Sequence, residues 1–167
     1  MKIDKSDLII REFMEADIEE VHKIEQDLFP NPWTVDMFKD DVLCQDKFTK
    51  VVKGQTLNCK TNYLLEYRGE VIGFFMGWAI FDEYSVMNIG IKSSYHKLGL
   101  GSFLLEAMLL KAIQLECEVV YLEVRASNIP ACNLYKKFNF VEIAKRKDYY
   151  SCPNEDAIVM KHEIKIP

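Results

Sequence analysis

The sequence predicts an α/β fold: one domain spanning residues 1–167, with a mixed central sheet of about seven strands and helices on both faces. Three observations carry this expectation. Short β-like runs alternate with segments of helical period along most of the chain. The longest apolar stretch, 71–81, is broken by Gly73 and Gly77 and is too short to cross a bilayer, so it reads as a strand buried on both faces. Between 86 and 125 the order is strand, glycine turn, long amphipathic helix, strand.

Each element follows in turn. Residues 8–13 read as a first strand. Asp17 is placed to cap a helix whose apolar face is Ile18, Val21, Ile24 and Leu28, ended by Pro30 and Pro32. Thr34 is placed to cap a second helix, 35–43, with Met37, Phe38 and Val42 inward. The stretch 44–60 has few signals beyond a short strand near 48–52. Residues 62–67, the turn Arg68-Gly69-Glu70 and 71–80 read as a hairpin, followed by a strand over 83–91. Leu100, Leu104, Ala107, Met108, Lys111 and Leu115 then recur at helical spacing over about five turns. A strand at 119–125, a short helix near 130–138 and strands at 141–147 and 157–164 complete the sheet.

Composition narrows the function. The formal charge is −5 without a basic stripe, which disfavours nucleic acid and suits a cationic partner such as an amine or a basic protein N-terminus. No membrane span is expected, and residues 1–7 are polar, without the apolar core of a signal peptide. The five cysteines (Cys44, Cys59, Cys117, Cys132 and Cys152) contain no Cys-x-x-Cys pair, so a reducing cytoplasm is the expected location. His22, His96 and His162 lack metal-ligand spacing, and no Gly-x-Ser-x-Gly motif is present. Cys132 reads as small apolar packing rather than an acyl carrier.

The most informative segment is His96-Lys97-Leu98-Gly99-Leu100-Gly101. A glycine-rich turn opening a helix directs unpaired backbone N–H groups to one spot. Those donors, the helix dipole and Lys97 suit a phosphate or pyrophosphate. Leu104 stands where a dinucleotide fingerprint needs its third glycine, and Gly101 is followed by Ser102-Phe103 rather than the Lys-Ser/Thr of a Walker loop. Taken alone, the turn equally fits an ordinary strand-to-helix connection. Gly90, inside the preceding strand, marks a bulge or a close backbone approach.

Asn88-Ile89-Gly90-Ile91, the Gly99-Leu100-Gly101 turn, Leu122-Glu123-Val124-Arg125-Ala126-Ser127-Asn128, and Leu134-Tyr135 with Phe138 and Phe140 together resemble the GNAT superfamily of acetyl-CoA-dependent N-acetyltransferases. Within it the chain is similar to the RimI branch, the bacterial ribosomal-protein-alanine N-acetyltransferases. The resemblance runs from Met87 to Phe140. It returns at Phe29-Pro30-Asn31-Pro32-Trp33-Thr34, at Asp148-Tyr149-Tyr150 and at 155–160, and is slight between Cys44 and Asn62. Where the family pattern opens its pyrophosphate loop with Gln or Arg, this chain has His96, which removes a bidentate or always-charged contact.

The resemblance implies acetyl-CoA as cosubstrate and no metal. It assigns cofactor binding to Ile89, Gly90, Ile91, His96, Lys97, Leu98, Gly99, Leu100, Gly101, Ser102, Asn128 and Tyr135. Acetyl transfer to an amine needs a base, donors for the developing oxyanion, and an acid for the leaving thiolate. Glu123, between Leu122 and Val124, is the candidate base; its alternative is a polar-face glutamate paired with Arg125 or solvent. Tyr135 is the candidate acid or else a core tyrosine, and Asn128 is a pantetheine ligand, a helix cap or both. Phe29, Pro32, Trp33, Tyr149 and Tyr150 are the candidate acceptor walls; Trp33 is equally a buried core residue and the tyrosines a surface rim. The leading expectation is an enzyme that acetylates a protein N-terminal α-amine, with a ribosomal protein beginning with alanine as the implied acceptor. The alternatives are a small-amine N-acetyltransferase, for a polyamine or amino sugar, and a non-catalytic acyl-CoA-binding module. The presence of both Glu123 and Tyr135 argues against the last.

Overall fold

The computed structural model describes residues 3–43, 51–52, 55–56 and 58–165. Within these, the elements run β1 (Leu8–Glu12), α1 (Ile18–Leu28), α2 (Val35–Leu43), β2 (Val51–Val52), β3 (Gln55–Thr56), β4 (Asn58–Tyr67), β5 (Glu70–Ile80), β6 (Glu83–Ile91), α3 (Leu100–Gln114), β7 (Val119–Arg125), α4 (Ile129–Lys137), β8 (Val141–Tyr150) and β9 (Glu155–Glu163). The main sheet has seven strands in the order β1-β4-β5-β6-β7-β9-β8, and β2 pairs only with β3. All neighbours in the main sheet are antiparallel except β6 and β7. The mixed seven-stranded sheet expected from the sequence is therefore present. Of the expected strand at 48–52, residues 48–50 lie outside the described residues.

Helices cover both faces. Val21, Ile24 and Phe38 from α1 and α2 pack with Phe13, Leu64, Phe74 and Met76. On the other face Leu104, Leu105 and Met108 of α3 and Tyr135 of α4 pack with Leu65, Ile72, Phe75, Leu122 and Met160. β5 feeds both cores, which is why its apolar run does not alternate. The β4–β5 hairpin turns on Arg68 and Gly69, both at positive φ, as a two-residue turn with the strands' own twist requires.

Four details differ from expectation. β4 starts at Asn58 rather than near 62, because its first buried side chains are polar: Thr61 Oγ1 meets Tyr84 Oη at 2.5 Å, and Asn62 donates to Asp41 at 3.0 Å. Asp17 does not cap α1. It accepts from the Met14 N–H at 2.9 Å, closing the preceding 3₁₀ turn, and takes a two-armed contact from Arg11. Met37 is 47 % exposed, beside the buried stripe set by Phe38 and Val42, although Thr34 Oγ1 does accept from the Met37 N–H at 3.2 Å. α3 has fifteen residues, about four turns, and gives way to Glu116 at positive φ, with the Cys117 N–H returning to Ala112 O.

The β6–β7 junction positions the site. These strands pair only over Glu83–Ser85 and Val119–Tyr121, and beyond that the ladder ends. On its other side β6 stays paired with β5, but the register skips Met87: Gly77 faces Val86 and Met76 faces Asn88. The bulge lies at Met87, not at Gly90. Gly90 is instead a close approach, where a Cβ would stand 2.7 Å from Leu28 Cδ1. Residues 86–91 thus present an edge toward β7 that no strand occupies.

Candidate active site

The gap beside that edge opens into a cavity of about 900 Å³. Its floor is β6 (Ile89, Gly90, Ile91) and β7 (Leu122, Glu123, Val124). One end is the turn into α3, and the opposite wall is the α1–α2 loop with Phe29 and Trp33. The cavity lining includes Asn128 and Tyr135 from the start and core of α4, and Tyr150 from the end of β8.

At the α3 turn, Lys97 and Gly99 adopt positive φ, and no side chain caps the helix. The first N–H groups of α3, at Leu100, Gly101 and Ser102, therefore lack intrahelical partners. A Cβ built on Gly99 meets nothing within 4 Å, so the cradle is open, while one on Gly101 would come 3.3 Å from Leu134 Cδ2. An uncapped helix start beside open space, at the end of an unpaired strand edge, fits the pyrophosphate and pantetheine arm of a coenzyme A thioester. His96 lies in this lining with its Nε2 2.6 Å from Ile91 O, so its ring ties the turn to the end of β6. Leu98 packs its side chain against the hydrophobic core and is not part of the cavity lining. Asn128 accepts from the Ala131 N–H at 3.2 Å, capping α4 from the cavity wall.

Glu123 alternates with buried Leu122 and Val124 on β7, so its side chain leaves the sheet on the face opposite their core, and it lines the cavity. Its partner is neither Arg125 nor solvent alone. Arg146 Nη1 lies 2.7 Å from its Oε1, and the Tyr149 hydroxyl donates to its carboxylate, which raises the Tyr149 pKa. Tyr135 is 7 % exposed and stacks obliquely on Phe140 at 5.7 Å; burial pushes its phenol far up, keeping it protonated. Tyr150 lies under the Arg125 guanidinium, 4.3 Å from ring centroid to Cζ, and burial pushes its hydroxyl up to about 12. Arg125 also pairs with Glu155 at 3.3 Å and donates to Ser151 O and Pro153 O, fixing the β8–β9 turn. Asn31 bridges from the α1–α2 loop to Ser151, to its backbone oxygen and, at 3.2 Å, its Oγ.

The structure brings together most of the residues singled out in the sequence. Pro32 and Tyr149 fall outside the lining, although Tyr149 reaches the site through Glu123. Sequence reasoning missed Glu25, Asn88 and Arg146. Glu25 is 1 % exposed and lines the cavity; its carboxylate accepts from the Trp33 N–H at 2.9 Å and from Asn88 Nδ2 at 2.7 Å. Burial raises its pKa, and these two hydrogen bonds partly offset that. Its position four residues after Val21, on the apolar stripe of α1, was the available signal. Among the described residues no group of three or more His, Cys, Asp or Glu could hold a metal, and no helix is long and apolar enough to cross a membrane.

Residues 18–140 match the model of the acetyltransferase (GNAT) family. A Bacillus subtilis protein, the putative [ribosomal protein bS18]-alanine N-acetyltransferase, is 32% identical over 157 residues, covering 93% of this chain and 95% of its own. The crystal structure of the Escherichia coli ribosomal-protein-S18-alanine N-acetyltransferase superposes with a TM-score of 0.80 at 27% identity, covering 96% of both chains. That of Ard1 from Thermoplasma volcanium superposes with a TM-score of 0.82 at 26% identity, covering 96% of this chain and 99% of that one.

Proposed function

The chain belongs to the acetyltransferase (GNAT) family of acetyl-CoA-dependent N-acetyltransferases, and from this premise we propose that its acceptor is the N-terminal α-amine of a protein, a ribosomal protein beginning with alanine foremost. The observation that carries this reading is that Glu123 and Tyr135 line one cavity, between the open edge of β6 and a wall made by Phe29, Trp33 and Tyr150. The names of the relatives support the same acceptor class.

Bound acetyl-CoA supplies an activated thioester carbonyl. The chain's own groups do the rest. An α-amine, with a free pKa near 8, is mostly protonated at neutral pH. Glu123 takes its proton, directly or through a water. Backbone N–H groups on the unpaired edge at Ile89–Ile91 face the charge that develops on the acyl oxygen. Tyr135, held neutral by burial, delivers a proton to the departing thiolate. The uncapped α3 turn, with Lys97 and Ser102, holds the pyrophosphate, and Asn128 the amide-bearing arm.

The test is a peptide panel with acetyl-CoA, read by mass spectrometry, that includes a ribosomal peptide beginning with alanine. Acetylation at the α-amine, with internal lysines unmodified, supports the reading. Turnover of spermidine or an amino sugar much faster than any peptide overturns it in favour of a small amine.

A further inference from the structure

We propose that Glu25 is a positioning residue that fastens the acceptor wall at Phe29–Trp33 to the bulged strand β6. The proposal rests on the reading that this wall seats the acceptor, and it adds how the wall is held.

A fully buried carboxylate is costly unless its oxygens are satisfied. Among the described residues Glu25 has no lysine or arginine partner, and its two oxygens go to two neutral donors on different elements. One is the backbone N–H of Trp33, at the far end of the wall. The other is the side-chain amide of Asn88, next to the bulge at Met87 and directly before Ile89–Ile91. The backbone oxygen of the same residue accepts the Phe29 N–H at 2.8 Å, at the near end of the wall. One residue therefore holds both ends of the five-residue wall and ties it to the strand whose edge forms the floor of the reaction site. No such link reaches the α3 turn, so wall and turn are separable by mutation.

The charge itself is not what this role needs. In Glu25→Gln, Oε1 still accepts from Trp33, and Asn88 can turn its amide so that its oxygen accepts from the new Nε2. Glu25→Ala removes both bonds and leaves the part-buried Trp33 N–H without this partner.

The experiment measures kcat and acceptor KM for a peptide substrate, acetyl-CoA affinity by calorimetry, and hydrogen exchange at the Trp33 amide. Glu25→Ala is expected to raise acceptor KM roughly tenfold or more, with acetyl-CoA affinity unchanged and Trp33 exchange accelerated. Glu25→Gln is expected to stay close to wild type in all three. Asn88→Leu, which removes the strand anchor, is expected to raise acceptor KM less than Glu25→Ala, and it carries the test if Glu25→Ala does not fold. Wild-type acceptor KM in the folded variants overturns the proposal. So does a Glu25→Gln loss as large as that of Glu25→Ala, which would assign the carboxylate a charge role toward the ammonium. If wild-type protein acetylates no peptide α-amine, the proposed acceptor falls, while Trp33 exchange still decides whether Glu25 holds the wall.

Discussion

Arg146 reaches from the edge strand β8 across β9 to Glu123 on β7, closing to 2.7 Å. Its guanidinium also lies 5.3 Å from the centre of the Tyr149 ring, and Tyr149 donates to the same carboxylate. The candidate base is thus held from a strand that is not its neighbour, by two residues beside the acceptor wall. Glu123→Gln should lower kcat by roughly 10²–10⁴-fold, the usual range for a positioned acid or base. Arg146→Gln should lower kcat less and leave acetyl-CoA affinity alone. A near wild-type rate for Glu123→Gln on a verified acceptor would mean the base has been misassigned.

Tyr135 should act through its hydroxyl alone. Its burial favours the neutral phenol, so the group stays a proton donor across the working pH range. Tyr135→Phe should reduce kcat, with acetyl-CoA affinity and melting temperature close to wild type. A parallel loss of acetyl-CoA binding would make the residue part of the cofactor wall instead.

Much of this site was legible because it is local in sequence. Strand, glycine turn and helix over 86–114 leave a ligand-binding turn and an ordinary connection equally open, and the runs around Glu123 and Tyr135 tip the reading through their resemblance to the family. What the sequence concealed depends on contacts between distant segments. Arg146 sits among Lys145 and Lys147 and reads as part of a solvated basic run. Only the sheet order puts it within reach of Glu123. Glu25 sits among charged neighbours in a helix that looks half solvated, and its burial becomes visible only when Trp33 and Asn88 close on it. Leu98 is the reverse case: a residue inside the motif that serves the core. The start of β4 was obscured because Thr61 and Asn62 are buried but polar, which breaks the apolar pattern that marks a strand.

The α3 turn predicts a cofactor response. Acetyl-CoA should raise the melting temperature by mass action, and Gly99→Asp with Gly101→Asp should abolish the shift. The added carboxylates oppose the pyrophosphate, and Gly99 at φ +79 also makes any side chain strained. Gly101→Ala is the control, since its Cβ meets only the movable end of Leu134. That variant should keep most of the shift. An undiminished shift in the double mutant would place the cofactor elsewhere.

The Arg11–Asp17 pair predicts an acid-side stability effect. Asp17 has its pKa lowered, first by the hydrogen bonds from Arg11. A carboxylate with a lowered folded-state pKa contributes stability that is present above its unfolded value, near 4, and lost as pH falls through the folded value. Asp17→Asn should therefore cost about 1–2 kcal/mol at neutral pH, a range kept small because the pair is partly exposed. The deficit should vanish in urea titrations carried toward pH 2. A deficit constant across that range would assign the loss to the Met14 turn rather than to the ion pair.

The two walls predict how acceptors differ. On the proposed reading, a peptide would leave the cavity between Phe29 or Trp33 and Tyr150, which line it, whereas a small diamine would occupy only the interior. Tyr150→Ala removes a ring held under Arg125, and Trp33→Ala removes one packed 5.5 Å from Phe38. Each should lower kcat/KM for an alanine- or serine-initiated peptide and affect spermidine less. Tyr149→Ala acts differently, because its hydroxyl bonds Glu123 rather than lining the cavity. It should lower kcat for both acceptors alike. The net charge of −5 adds a salt effect: kcat/KM for a basic peptide should fall as ionic strength rises, and that for a neutral peptide should stay level. Equal losses for peptide and diamine in Tyr150→Ala would show that this wall shapes the reaction chamber itself and does not grip the chain that leads out of it.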